Sequence, residues 1–138
     1  MKFIFFIFLF FVGTISKADT IDYWHVYYNT TMIGDFNDYG ENKIIIKRTE
    51  LKAEDSIKVT FFSDTRSDDM PAILAILNVT DSKGKTIFNI FGSKPNISFV
   101  FPVKYFIRFS NGDHFIVTYN DAKNGKDFKV KLFEVKLE

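Results

Sequence analysis

The segment Ile57-Lys58-Val59-Thr60-Phe61 alternates apolar and polar side chains without a fault. Successive residues of a β-strand point to opposite faces, so Ile57, Val59 and Phe61 make a face to bury while Lys58 and Thr60 make a face to wet. A helix, with apolar positions recurring every three to four residues, does not produce this pattern. The same alternation returns at His114 to Tyr119, where Phe115, Val117 and Tyr119 oppose His114, Ile116 and Thr118. Between Tyr23 and the C-terminus, turn residues interrupt such runs about every 8–12 positions, the spacing of antiparallel sandwiches.

Turn chemistry joins the runs into hairpins. Asn111-Gly112 stands between Tyr105–Ser110 and Asp113–Tyr119, and that dipeptide accepts the two positive φ values of a type I′ turn. Asn124-Gly125 links the run ending at Tyr119 to the one beginning at Phe128, Asp81-Ser82-Lys83-Gly84 links Ile73–Val79 to Thr86–Phe91, and Asn29-Thr30 links Trp24–Tyr28 to Thr31–Phe36. Near the C-terminus the alternation slips: Phe128, Val130 and Leu132 share one phase, but Phe133, Val135 and Leu137 take the other. A β-bulge at Leu132-Phe133 absorbs such a slip, and a bend there would let the last strand serve both sheets. The run Ile73-Leu74-Ala75-Ile76-Leu77 is apolar on both phases, as in a central strand covered on both faces or in a protein-binding face. Thr49 to Asp55 is the one helical hint, with Thr49 as N-cap. The expectation is an all-β antiparallel sandwich of immunoglobulin-like or C2-like build, with seven or eight short strands and at most one helical turn near residues 49–55.

The first 18 residues read differently. Lys2 precedes an unbroken apolar run from Phe3 to Val12, and Ser16-Lys17-Ala18 follows as a small-x-small exit. That is the build of a secretory signal peptide cleaved after Ala18, and it is shorter than the ~20 apolar residues a membrane span needs. The expected domain is residues 19–138, secreted or periplasmic and without a permanent membrane anchor. The leader holds 6 of the 18 Phe, and its loss leaves 16 basic against 17 acidic residues. Near-neutral charge without a basic cluster argues against nucleic acid as a partner. The chain has no Cys, which for an exported domain points to a bacterial periplasm or cell exterior.

Chemistry-bearing motifs are sparse. The two histidines, His25 and His114, belong to neither an H-E-x-x-H nor a G-x-S-x-G pattern, and two are too few for a three-His zinc site. Paired carboxylates, as in glycoside hydrolysis, are the enzymatic route left open. Two acidic loops could pool oxygen ligands for Ca²⁺: Asp64, Asp68 and Asp69 around Arg66, and Asp35, Asn37, Asp38 and Glu41. The second starts like an EF-hand loop, with Gly40 sixth, then fails at Tyr39 and Ile46; for both loops the plain alternative is a solvated acidic turn. Tyr23, Trp24, Tyr27 and Tyr28 lie within six residues, alternating Tyr23/Tyr27 against Trp24/Tyr28. One pair is expected to face the core, and an exposed other pair could stack on sugars or anchor a protein, with Trp24 and Tyr28 the binding candidates; the plain alternative is an ordinary aromatic core strand. Asn29, Asn78 and Asn96 begin N-glycosylation patterns, which carry no meaning in most bacteria.

The sequence therefore describes an exported, non-catalytic binding or interaction module, a monomer or weak homodimer, for which an inhibitor or immunity-type partner of another exported protein is the narrower version. A Ca²⁺-dependent or carbohydrate-binding domain is the alternative, and a small glycan-acting enzyme the third. The binding candidates are Asp64, Asp68, Asp69, Trp24 and Tyr28, with Asp64, Asp68 and Asp69 also the metal candidates; no other cofactor is expected.

Overall fold

Ile57, Val59 and Phe61 are all buried and their intervening neighbours are not, so the strand read first is a strand with one inner face. The computed structural model describes residues 21–63, 74–92, 97–109, 112–123 and 126–138. The expected leader and its cleavage point at Ala18 lie outside them. Nine strands occur among the described residues: β1 (Tyr23–Tyr28), β2 (Thr31–Asn37), β3 (Lys43–Ile46), β4 (Ser56–Phe62), β5 (Ala75–Asp81), β6 (Thr86–Gly92), β7 (Ser98–Pro102), β8 (His114–Lys123) and β9 (Lys126–Leu137). One sheet has the order β2-β1-β4-β7 and the other β3-β9-β8-β5-β6. The two form an all-β sandwich, as expected, with one more strand than the expected upper count.

The core is aromatic and lies between the sheets. Phe61 of the first sheet stacks on Tyr119 of the second, centroids 4.2 Å apart, and Trp24 packs beside Phe61 at 6.3 Å. Phe99, Phe101, Phe115 and Phe133 are buried with them.

Local chemistry accounts for the hairpins. In the β5–β6 turn the Asp81 carboxylate accepts the N–H groups of Lys83 and Lys85 at 2.9 Å each, while Gly84 takes φ +80°, the left-handed region that suits glycine. Asn29 turns β1 into β2 at φ +52°, a region Asn tolerates better than most residues. Lys123 pairs with Lys126, so β8 and β9 are joined through residues 124 and 125, which lie outside the described residues.

The bulge falls where the phase slips. Val117 pairs with Phe133 and Thr118 with Lys131, leaving Leu132 as the extra residue, and Leu132 and Phe133 are both fully buried. The bulge does not send β9 into the other sheet, however: its partners are β8 and β3, both within the same sheet.

Four further expectations are corrected. Residues 105–109 do not form a strand, and Ser110 lies outside the described residues; Lys104–Phe109 is a short helix, α1, with Val103, just before it, and Phe106 inside and Ile107 and Arg108 outside. The Val103–Phe106 spacing of three suits a helical turn, and so short an apolar run fits either period. The pairing of β3 with β9 is parallel, Lys43 opposite Glu134 through Ile46 opposite Leu137, so the second sheet is mixed rather than wholly antiparallel. Of the run Ile73–Leu77, Ile73 lies outside the described residues, and the rest is not covered on both faces: Ala75 and Leu77 are buried, but Leu74 is 58% exposed. The turn near residues 49–55 is a 3-10 turn at Arg48–Glu50, whose N-cap position is Lys47 rather than Thr49. Among the described residues no helix is long and apolar enough to cross a membrane.

Candidate functional site

Strand β1 turns Trp24 and Val26 inward and Tyr23, His25 and Tyr27 outward. Its neighbour β4 adds Lys58, Thr60 and Phe62 to that outer face, with Tyr23 opposite Phe62, His25 opposite Thr60 and Tyr27 opposite Lys58. The result is a ring cluster on the solvent side of the four-stranded sheet, where alternation ordinarily leaves polar side chains. Tyr23 and Phe62 stack at 4.7 Å with planes 11° apart, and the His25 ring lies 5.1 Å from Phe62 and 5.5 Å from Tyr23, tilted to both. Lys58 Nζ sits 4.4 Å over the Tyr27 ring, a cation–π contact. From β2, Asp35 Oδ1 approaches His25 Nε2 at 3.4 Å. On the other flank the Thr60 and Ser98 hydroxyls bond at 2.8 Å, and Val100 of β7 is 58% exposed.

The hydroxyls of Thr60 and Ser98 bond to each other, and among the described residues no hydrogen bond links either to His25. Tyr23 and Phe62 each turn one ring face to the other. Sugars stack on ring faces, and protein partners pack on rings and bond to the polar tips of Tyr and His.

The pair taken from the sequence, Trp24 and Tyr28, lies on the other phase. Trp24 is a core residue with its indole Nε1 unpartnered among the described residues, so it is corrected from binding residue to core. Tyr28 is half-buried and donates its hydroxyl to the buried Asp55 carboxylate, which also accepts the Asn29 amide at 2.9 Å and the Lys52 N–H at 2.7 Å. Asn29 Oδ1 in turn accepts the Ser56 N–H at 2.9 Å, so the network fastens the β1–β2 turn to the start of β4. Donation by Asn29, then by Tyr28 and Lys52, holds the Asp55 carboxyl below the usual carboxylate range. Burial, and then the neighbouring Asp55, pushes the Tyr28 hydroxyl above the usual phenol range.

Both shifts predict a pH dependence of stability. The unfolded chain takes up the Asp55 proton first as pH falls, so this stabilisation is complete above the ordinary carboxylate pKa of about 4 and is lost through the lower folded value. The unfolded chain gives up the Tyr28 proton first as pH rises, so stability also falls above about pH 10. Tyr28→Phe is expected to cost about 1 kcal/mol in urea unfolding and to flatten the alkaline limb; an unchanged alkaline limb would place its cause elsewhere.

The acidic candidates Asp64, Asp68 and Asp69, with Arg66, lie outside the described residues. In the second loop Asp35 turns to His25 and Asn37 Oδ1 accepts the Tyr39 N–H at 3.0 Å. Asp38 and Glu41 line a cleft of about 470 Å³ with Lys43, Lys131 and Glu134, where burial and then Asp22 raise the Asp38 pKa. Among the described residues no three His, Cys, Asp or Glu side chains converge as a metal would require. His114 faces outward and meets Glu134 at 2.9 Å. Of the glycosylation patterns, the Asn29 and Asn78 amides are engaged with Asp55 and Asn89, and Asn96 lies outside the described residues.

Reading residues from the sequence alone passed over Phe62, although it continues the wet phase of Lys58 and Thr60 and is apolar, which was its signal. No protein-family model matches the chain, and neither a curated protein nor a solved structure matches it.

Proposed function

We propose that the protein is an exported, non-catalytic interaction module that binds another protein through the outer face of its β2-β1-β4-β7 sheet. The observation that carries this reading is the cluster of Tyr23, His25, Tyr27 and Phe62 on a face that alternation would leave polar. Aromatic side chains dominate the energetics of protein interfaces, and here they are flanked by an exposed Val100 and by the polar groups of Asp35, Lys58 and Ser98. An inhibitor or immunity-type role toward another exported protein is the narrower form of this reading, supported by the leader at residues 1–18 and by the lack of catalytic motifs. Secretion or a periplasmic location belongs to the same proposal.

The test uses a photo-crosslinking residue at Tyr23 or Val100, with Lys129 on the opposite sheet as control, in the protein's own periplasmic or secreted fraction. A discrete adduct from the first two positions and none from the third is expected. Tyr23→Ser/Phe62→Ser should weaken capture of that partner about thirtyfold, the loss of one interface hot spot, with circular dichroism unchanged. Equal labelling from both faces, or an adduct indifferent to the double substitution, would overturn the proposal. Binding of a purified glycan that is lost in Tyr27→Ala would replace it with the carbohydrate reading.

A further inference from the structure

Strand β3 pairs with β9 alone among the described residues, which leaves its other edge open. Hydrogen bonds fix the direction of its peptide groups. Glu134 donates its N–H to the Asn42 carbonyl at 2.8 Å, and Glu138 donates its N–H to the Ile46 carbonyl at 2.9 Å. Peptide groups alternate sides along a strand, so those of Ile45 point away from β9. The open edge borders a cleft of about 620 Å³, a volume typical of ligand sites. β3 forms one wall of it, and Thr31 and Ile33 of β2 stand on the other side. Ile44 and Ile46 face inward, while Ile33 is 38% and Ile45 56% exposed, so the walls are aliphatic.

The rim carries Lys43, Lys47 and Lys52 against Glu50 and Asp55. Asp55 is engaged by Tyr28, Asn29 and the Lys52 N–H. Lys47 meets Glu50 at 3.1 Å with both side chains 67% exposed, a pair weak enough to exchange. The occupied edge shows what β3 accepts. There Glu134 stands opposite Lys43, Lys136 opposite Ile45, and Val135 and Leu137 turn inward beside Ile44 and Ile46. Glu138 follows, its carboxyl held below the usual range by Lys136 and then by Lys43 and Lys47.

We infer that the open edge of β3 is a peptide-binding edge, separate from the ring cluster, on which an extended acidic-apolar-any-apolar-acidic segment of another protein adds as an antiparallel strand. Antiparallel pairing is the more stable arrangement, and in strand addition the main chain gives affinity while side chains give specificity. The central residue stands opposite Ile45 and exchanges both main-chain bonds with it. Its two apolar neighbours stand beside Ile44 and Ile46 and enter the cleft toward Ile33. The outer two set carboxylates opposite Lys43 and Lys47, where opposite charges stabilise a cross-strand pair. Charge also rules out a second copy on this edge, because two β3 strands paired at Ile45 would set Lys43 against Lys47 twice. Five residues span roughly 17 Å, so the segment binds modestly by itself.

The probe is the peptide fluorescein-Gly-Glu-Val-Thr-Leu-Glu-Gly-amide, titrated with the purified protein and followed by anisotropy. Saturable binding is expected. Lys43→Glu/Lys47→Glu should weaken it about tenfold or more with circular dichroism unchanged, and should bind better the peptide in which both Glu are Lys. N-methylation of the central Thr removes the N–H given to the Ile45 carbonyl and should weaken binding about tenfold. N-methylation of the neighbouring Val, whose N–H points away from β3, should leave binding unchanged. No saturation at millimolar protein, equal binding of the two charge forms by the native protein, or indifference to N-methylation of Thr would overturn the proposal.

Discussion

Deletion of Leu132 leaves a folded protein, whereas deletion of Val135, three residues later, abolishes the fold. Leu132 is the extra residue of the β9 bulge, so its removal brings Phe128, Val130, Phe133, Val135 and Leu137 into one unbroken alternation. Every pair from Val117–Phe133 onward keeps its partner, and so does every pair from Thr118–Lys131 back. The cost is one fully buried leucine, about 2–3 kcal/mol. Deletion of Lys131 should be tolerated for the same reason, with Leu132 moved to the outer position. Val135 is different: without it Lys136 falls opposite Phe115 on the inner face and Leu137 turns outward. Two buried side chains at ~1.5–3 kcal/mol each are lost and an ammonium is driven into the core, a sum comparable with the whole stability of a small domain. Urea unfolding of the three deletion variants checks this. If the Leu132 deletion is as damaging as the Val135 deletion, the bulge is not what holds the register.

Phe106→Ala is expected to cost about 3–5 kcal/mol, and Ile107→Ala within about 0.5 kcal/mol of nothing. Phe106 is wholly buried in α1, with ring centroids 4.7 Å from Phe115 and 6.1 Å from Phe88 of one sheet and 5.7 Å from Phe101 of the other. It plugs the core at the sandwich end where the chain crosses between sheets. Ile107 is 46% exposed on the next position of the helix, and alanine there also favours helix. Thermal or urea unfolding of both variants decides between helix and strand. A strand through residues 105–110 would put Ile107 on the same face as Tyr105 and would not single out Phe106 so sharply.

Strand β4, the β5–β6 turn and the bulge were legible because each rests on a local pattern: alternation, an Asp-x-x-Gly turn, a one-residue phase slip. Helix α1 was not, because a short apolar run satisfies either period. β3 was missed because its four residues have no hairpin and pair with a strand far along the chain. The outer ring cluster was half legible. Both phases of β1 are aromatic, but Trp24 shares its phase with Val26 and Tyr23 shares its phase with His25, so the polar ring marked the outer side. Trp24 and Tyr28, the pair expected to bind, share the phase of the buried Val26. Phe62 completed the cluster only through its cross-strand position opposite Tyr23.

The parallel pairing of β3 with β9 also sets an order of events. Ile44 and Ile46 are buried against a strand that ends at Leu137, so β3 waits for residues some ninety positions later before it has its partner. Such a long-range closure is slow compared with local hairpins. A chain being synthesised therefore leaves β3 without this partner until residues 134–137 are in place. Removing residues 134–137 from the finished protein would take away every partner that β3 has in β9.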